Sequence, residues 1–140
     1  KDSLNYVSFN KEIYRLVKVD MYRCAYLVKE TDEKIDKQNI VEYEKSYTND
    51  NFDEEVRNKL FSDASIISLE LYNQTILNNS SYINMDNNDW IKDNNEYKVM
   101  TMNNEFTSVD SAKTYIVLKL NGNVTVSGGN GTQLKPYILN

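Results

Sequence analysis

Residues Ser127–Asn140 read SGGNGTQLKPYILN, and this stretch decides how the chain closes its fold. It holds three of the four glycines in 140 residues and the only proline. Glycine permits backbone turns that a side chain forbids, and proline suits an edge strand because it lacks a donor N–H. The pattern predicts a tight turn or bulge that leads into a last strand over Tyr137–Leu139. The residues of this structural motif are Gly128, Gly129, Gly131, Thr132, Pro136 and Tyr137.

The tail is expected to be an integral part of the fold, because a disordered end rarely carries so many apolar groups. The apolar residues offered for burial are Val124, Val126, Leu134, Tyr137, Ile138 and Leu139. The run Gly128–Thr132 also resembles a phosphate-binding loop in composition. A turn is favoured there, because no Lys-Ser/Thr pair and no helix follows the glycines.

Strand-like segments occupy both ends of the chain. Thr114–Leu120 (TYIVLKL) is the most strand-like run, and we expect it at the centre of a sheet. Asn121-Gly122 follows it and predicts a two-residue hairpin, since type I′ turns favour Asn-Gly. Alternating apolar residues near the start predict a meander of three strands. These strands cover Tyr6–Phe9, Glu12–Asp20 and Tyr22–Lys29.

The middle of the chain changes to helical spacing. Phe52, Val56 and Leu60 recur every four residues, and Asn51 is a plausible N-cap for this helix. A second helix is expected over about 65–77. The remaining segments are read as a loop over Thr31–Gln38, a short strand over Ile40–Tyr43, a loop over Asn84–Glu96 and a strand over Tyr97–Met102. The whole order predicts an α+β fold, with an antiparallel sheet formed by N- and C-terminal strands and two central helices on one face.

The composition limits the classes of function that this chain can have. At 140 residues the chain fits a single globular domain, 1–140, with 40% hydrophobic and 26% charged residues. The net charge is −5, and no stripe of Lys or Arg emerges, so the chain lacks the basic surface of a nucleic-acid binder. It contains no histidine, which removes Ser-His and Cys-His chemistry. The single Cys24 reads as a small core residue. We expect neither an enzyme nor a cofactor.

Two alternatives concern the residues around Trp90. Its ring either fills the core from a loop or serves as an exposed platform for a ligand, with Asn88 and Asp89 beside it. Calcium could use the oxygens of Asp86, Asn88 and Asp89, or those of Asn49, Asn51 and Asp53. Neither run has the glycine or the closing glutamate of an EF-hand loop, so solvated loops are favoured and no metal is predicted.

Both ends of the chain carry a pattern that resembles exported modules of Firmicutes and Mollicutes. At the C-terminal end the matching segments are Thr114–Leu120, Val124–Val126, Gly129–Thr132 (GNGT) and Pro136–Leu139 (PYIL). At the N-terminal end they are Tyr6–Asn10 (YVSFN) and Tyr14–Val17 (YRLV). The resemblance implies an extracellular, cell-surface domain, the soluble part of a longer protein held by a membrane-spanning or prepilin-like helix.

The resemblance therefore implies a non-enzymatic surface or type IV pilin-like domain that acts in assembly or adhesion. Its partners would be protein subunits of a surface assembly or a host or cell-surface ligand, with no nucleic acid. Membrane contact would come only through an anchor outside this chain. The alternative is a carbohydrate- or peptide-binding module similar to C-type lectins, for which Trp90, Asn88 and Asp89 would contact the ligand.

Overall fold

A computed structural model shows a chain built around one large mixed β-sheet, and it describes residues 5–76, 88–101 and 105–140. Eleven strands lie in this described part. They are β1 Tyr6–Phe9, β2 Glu12–Val19, β3 Ala25–Glu30, β4 Ile35–Asp36, β5 Ser65–Ile66, β6 Asp89–Asp93, β7 Glu96–Met100, β8 Phe106–Thr107, β9 Ser111–Lys119, β10 Val126–Gly128 and β11 Tyr137–Leu139.

The sheet has the order β10-β11-β1-β2-β3-β9-β6-β7-β8, with β4 and β5 also paired to β9. Strand β1 runs parallel to β11, and β6 runs parallel to β9, while the other pairs are antiparallel. The chain thus closes by laying its last strand beside its first. The predicted central place of Thr114–Leu120 is confirmed, because β9 joins the two halves of the sheet.

Alternate residues of β9 face two separate hydrophobic cores, as the twofold repeat of a strand requires. The front face carries Ile116 and Leu118, and the back face carries Tyr115 and Val117. All four side chains are buried. A strand buried on both faces reads as a continuous apolar run, which is why TYIVLKL stood out in the sequence.

Helical segments cover both faces of the sheet. The longest, α1, spans Ile40–Asn51, and the one-turn α2 spans Glu54–Arg57; both pack on the front core. On the back face, α3 (Leu69–Leu71) continues into a π-helical turn over Tyr72–Ile76. Lys37–Asn39 forms a 3-10 turn that leads into α1.

The predicted α+β architecture with two central helices on one face is wrong. The structure has a mixed sheet and one long helix, which begins where a strand was predicted over Ile40–Tyr43. The front core is contacted at helical spacing by Ile40, Tyr43 and Tyr47. This tertiary packing outweighs the β-strand propensity of the sequence IVEY. The structure therefore does not have the expected pilin-like fold with two central helices.

Helix boundaries in the middle also moved. Asn51 ends α1, and the N-cap is Asp53, whose Oδ1 accepts from Val56 N at 3.0 Å. The expected second helix starts as strand β5, and only from the cap at Ser68 does the chain turn helical. Leu77, its expected end, lies outside the described residues. Ser65 and Ile66 pair with the central strand, and this pairing overrides their helical spacing.

Two loop predictions were wrong. Ile35–Asp36 pairs with β9, so the expected 31–38 loop contains a strand and part of the 3-10 turn. Asp89–Asp93 forms β6 inside the expected 84–96 loop, of which residues 84–87 lie outside the description. The β6–β7 hairpin turns at Asn94-Asn95, with φ of 51° and 70°. Asparagine tolerates positive φ, so this pair can form a two-residue hairpin turn. A turn of this kind was predicted for Asn121-Gly122.

The predicted hairpin at Asn121-Gly122 is wrong, because β10 pairs with β11 and not with β9. Gly122 serves close packing instead: a Cβ there would lie 2.6 Å from the carbonyl oxygen of Tyr22.

The three N-terminal strands are present, with a hairpin at Asn10-Lys11. The third was predicted to start at Tyr22 but starts at Ala25, because Tyr22–Cys24 belong to the turn. The strand predicted over Tyr97–Met102 is confirmed as far as Met100. Thr101 lies outside the strand, and Met102 lies outside the described residues.

Candidate functional site

Asn88, Asp89 and Trp90 lie side by side in sequence but are not brought together in space. Asn88 is exposed just ahead of β6. Asp89 and Trp90 are successive residues of that strand, so their side chains point to opposite faces of the sheet. The three residues therefore do not share a surface on which one ligand could contact all of them.

Trp90 lies in the front core with 3% of its surface exposed. Its Nε1 donates to the carbonyl oxygen of Ile35 at 2.9 Å, so the polar group of the indole is satisfied inside the protein. The ring borders a cleft with Tyr97, Phe106 and Lys98 but does not present a free face. Its geometry is that of a core residue on a strand.

Asp89 lies on the back face with 1% of its surface exposed, beside Glu30 of β3 and Tyr115 of β9. Burial first, and then the hydrogen bond and charge of Glu30, raise the pKa of Asp89 to about 8, while Lys113 opposes the shift. The Asp89 carboxyl group therefore stays protonated at neutral pH, and its O–H donates a hydrogen bond to Glu30.

This acid pair retains unused hydrogen-bonding capacity. Within the described part of the chain, Asp89 Oδ1 and Glu30 Oε2 are buried without a hydrogen-bond partner. No group of three or more Asp, Glu, Cys or His among the described residues could hold a metal ion. Asp86 of the weighed calcium cluster lies outside the description, while Asn49, Asn51 and Asp53 fall in α1 and at the cap of α2.

The glycine-rich motif turns the backbone into the last strand. Gly129 and Gly131 have φ of 86° and 84°, values that favour glycine. The carbonyl oxygen of Gly131 accepts from Tyr6 N at 3.0 Å, which ties the turn to β1. Thr132 N donates to Asn130 Oδ1 at 3.1 Å, and Pro136 and Tyr137 then lead into β11. These contacts are internal to the fold.

An open cleft with a volume of about 520 Å³ runs along α1. One wall is a ladder of four residues spaced by four in sequence, which we call the tyrosine ladder: Asn39, Tyr43, Tyr47 and Asn51. The spacing places all four on one side of the helix, over about 18 Å. The other wall is formed by residues 29–36, with Ile116 of β9 also lining the cleft. This is the tyrosine cleft.

The two tyrosines are held by the core below them. The rings of Tyr43 and Tyr47 lie 5.7 Å apart, and Tyr47 contacts the edge of Phe52 at 6.1 Å. Phe52 in turn contacts Phe9 of β1 at 6.5 Å. This continuous aromatic chain fixes the ring positions, while both tyrosines remain only half-buried. The cleft wall is therefore preorganised.

Glu44, next to Tyr43 in α1, fixes the helix to the sheet. Its carboxylate accepts from Ile66 N at 2.8 Å, from Lys92 Nζ at 2.9 Å and from the Tyr97 hydroxyl. The Glu44 side chain is only 10% exposed, so these charge-assisted bonds are shielded from water. They hold the helix, and with it the tyrosine ladder, at a set distance from the strands.

The electrostatics of the cleft suit a neutral, hydroxyl-rich ligand. Burial raises the pKa of Tyr43 to about 12, with a smaller contribution from Tyr47. Burial, followed by the charge of Glu12, also raises the pKa of Tyr47. Both hydroxyls therefore remain protonated donors at physiological pH. Lys29 is paired with Glu12 at 2.5 Å. The other charged side chains of the cleft are Asp32, Glu33, Lys34 and Asp36, because the Glu30 carboxylate lies on the back face beside Asp89.

Comparisons of the chain with protein-family models, curated proteins and solved structures give no match. Among the described residues, no helix has the length and apolar character needed to cross a membrane. The site is therefore defined by its own geometry: a rigid aromatic wall faces a polar wall across an open cleft. The sequence signal that could have identified it was the repeat Asn39, Tyr43, Tyr47, Asn51, which a strand prediction over 40–43 concealed.

Proposed function

We propose that this chain is a non-enzymatic binding domain of a bacterial cell-surface protein, and that it holds a carbohydrate chain in the tyrosine cleft. The observation that carries the proposal is the tyrosine ladder along a preorganised open cleft. The extracellular location and the role in adhesion rest on the resemblance of the two chain ends to exported modules.

Carbohydrate fits the chemistry of both walls. Sugar rings present apolar C–H faces, which pack against tyrosine rings, and hydroxyls, which exchange hydrogen bonds with amides and carboxylates. The ladder supplies both kinds of contact, with an amide at each end and two rings between them. A length of about 18 Å accommodates several linked sugar units. An open cleft, as opposed to a closed cavity, suits the side-on binding of a polymer.

The first experiment is a glycan array, followed by calorimetry with the strongest oligosaccharide hit. We expect Tyr43→Ala and Tyr47→Ala each to weaken binding about tenfold, since each removes a stacking surface worth about 1.4 kcal/mol. Tyr43→Phe and Tyr47→Phe keep the aromatic chain and remove only the hydroxyls, so they should fold normally and bind a few-fold more weakly.

Tyr22→Ala is the matched control. Tyr22 is 74% exposed on the β2–β3 turn and does not line the cleft, so its removal should leave the affinity unchanged. A screen that finds no glycan above background, or a hit whose affinity ignores all four cleft variants, contradicts the proposal. Binding of extended peptides in place of glycans would retain the cleft and reject carbohydrate as its ligand.

A further inference from the structure

Four large apolar side chains are exposed at the end of the sheet where β2 turns into β3. Met21 and Tyr22 are 86% and 74% exposed, and Val19 and Phe61 are each 58% exposed. Isolated exposed apolar residues are normal, but a cluster from adjacent segments marks an interaction surface. We call this cluster the amphipathic tip.

The turn that carries Met21 and Tyr22 is held rigidly by Asp20. Its Oδ1 accepts from the backbone N–H groups of Tyr22 and Cys24, each at 2.9 Å. Its Oδ2 accepts from the Tyr26 hydroxyl at 3.3 Å. Arg23 takes a positive φ of 68°, which completes the tight turn. The two side chains at the apex are thus presented to solvent by a fixed backbone.

The neighbouring segments bring Phe61 to the same end. Phe61 N donates to the carbonyl oxygen of Lys119 at 2.7 Å, and the Lys119 Nζ lies 4.0 Å from the centre of the Phe61 ring. The same ammonium lies 3.8 Å from Asp20 Oδ2. Gly122 packs so closely on this turn that an added Cβ would lie 2.6 Å from the carbonyl oxygen of Tyr22 and 3.3 Å from Arg23 Cβ. Three chain segments therefore form one continuous surface.

The charge of the tip is opposite to that of the chain as a whole. The segments 18–24, 59–63 and 119–122 carry the cations Lys18, Arg23, Lys59 and Lys119. Their carboxylates are Asp20, which Lys119 faces, and the exposed Asp63. A local excess of cations beside exposed Met, Tyr, Val and Phe, on a chain of net charge −5, is complementary to an anionic interface with an apolar interior.

We propose that the amphipathic tip docks onto a membrane surface that contains anionic lipid. Met21, Tyr22 and Phe61 enter the headgroup region, where Tyr places its ring among acyl carbons and its hydroxyl in water. Lys18 and Arg23 contact lipid phosphates. This contact is separate from the tyrosine cleft and from any anchor outside the chain.

The test is co-sedimentation of the intact chain with vesicles of phosphatidylcholine alone and of phosphatidylcholine with phosphatidylglycerol. We expect binding to the anionic vesicles that decreases with added salt. Met21→Ser/Tyr22→Ser should weaken this binding at least tenfold. Lys18→Gln/Arg23→Gln should weaken it about twenty-five-fold, at about fivefold for each cation, with no change on neutral vesicles.

Leu134→Ser is the matched control, because Leu134 is 98% exposed in the glycine-rich turn and outside the tip. It should bind as the unaltered chain does. The proposal is overturned if anionic vesicles do not retain the protein, if the Met21/Tyr22 variant binds normally, or if Leu134→Ser lowers binding equally. It is also overturned if sedimentation of the protein alone shows that the tip pairs two copies of the chain and loses that pairing in the Met21/Tyr22 variant.

Discussion

Trp90 Nε1 donates a hydrogen bond to the carbonyl oxygen of Ile35 at 2.9 Å, across 55 residues of sequence and inside the front core. The bond joins β6 to the segment that leads into α1, and so it connects the far half of the sheet to one wall of the tyrosine cleft.

Trp90→Phe should lower the free energy of unfolding by about 2–3 kcal/mol. The smaller ring keeps much of the packing, but it leaves the carbonyl oxygen of Ile35 buried without its donor. Urea unfolding of the two proteins measures the difference. Phe106→Leu on the half-exposed edge strand β8 is the control and should change stability by less than about 0.5 kcal/mol. Equal urea midpoints for Trp90→Phe and the unaltered protein would contradict this reading.

Asp89 predicts an unusual pH dependence of stability. Its pKa is raised from 3.8 to about 8 in the folded protein, so between these values the unfolded chain releases a proton that the folded protein keeps. Stability from this group is therefore complete below about pH 4 and is lost as the pH rises to about 8. The groups that face Asp89 are Glu30, Tyr72, Lys113 and Tyr115.

Asp89→Asn removes this titration. The free energy of unfolding of the variant, relative to the unaltered protein, should improve by about 4 kcal/mol between pH 4.5 and pH 8. Asp50→Asn, at an exposed position of α1, should keep the original pH slope. Parallel curves of stability against pH for the unaltered protein and Asp89→Asn would show that the buried carboxyl is not protonated.

The two adjacent glycines of the C-terminal turn should respond very differently to alanine. A Cβ on Gly129 would lie 1.9 Å from the carbonyl oxygen of Pro136, at a φ of +86°, whereas one on Gly128 would meet only Ile138 Cδ1 at 3.5 Å. Gly129→Ala should cost about 3 kcal/mol or more through backbone strain and displacement of Pro136. Gly128→Ala should be within about 1 kcal/mol of the unaltered protein. Equal thermal shifts for both variants would contradict the turn geometry.

Deletion of Pro136–Asn140 should destabilise the fold by about 3 kcal/mol or more, a drop of about 10 °C in melting temperature. The deletion removes β11 from between β1 and β10, together with the half-buried Tyr137 and Leu139. Leu134→Ala, at a 98% exposed site in the same tail, should melt normally. An unchanged melting temperature for the truncated protein would show that the tail adds nothing to the core.

The sequence predicted strands well where their pattern was local and strong. TYIVLKL could be recognised as a central strand because a strand buried on both faces is a continuous apolar run. The N-terminal strands could be recognised because their apolar and polar residues alternate. Of the tail residues predicted to be buried, Val124, Tyr137 and Leu139 pack on the front core, whereas Val126, Leu134 and Ile138 are exposed. Tyr137 and Leu139 lie on one face of β11 and Ile138 on the other, which the twofold repeat of a strand requires.

The fold class could not be predicted from local sequence patterns, because it depends on which segments pair with each other in the sheet. Ser65–Ile66 became a strand by pairing with β9, and Ile40–Tyr43 became helix because its apolar residues meet the front core three and four apart. The tyrosine cleft was hidden for the same reason, since its ladder exists only if 40–51 is helical. Asp89 could not be assigned its role without knowing that Glu30 lies beside it on the back face of the sheet.

The most direct test of the proposed function is an amide chemical-shift titration of the protein with the oligosaccharide that gives the strongest array signal. We expect the largest shifts on Asn39, Tyr43, Tyr47 and Asn51 and on the facing residues 31–36, and we expect Tyr47→Ala to need about ten times more oligosaccharide to reach half of its full shifts. Shifts concentrated elsewhere on the sheet, or none at saturating oligosaccharide, would contradict the proposal that the tyrosine cleft binds carbohydrate.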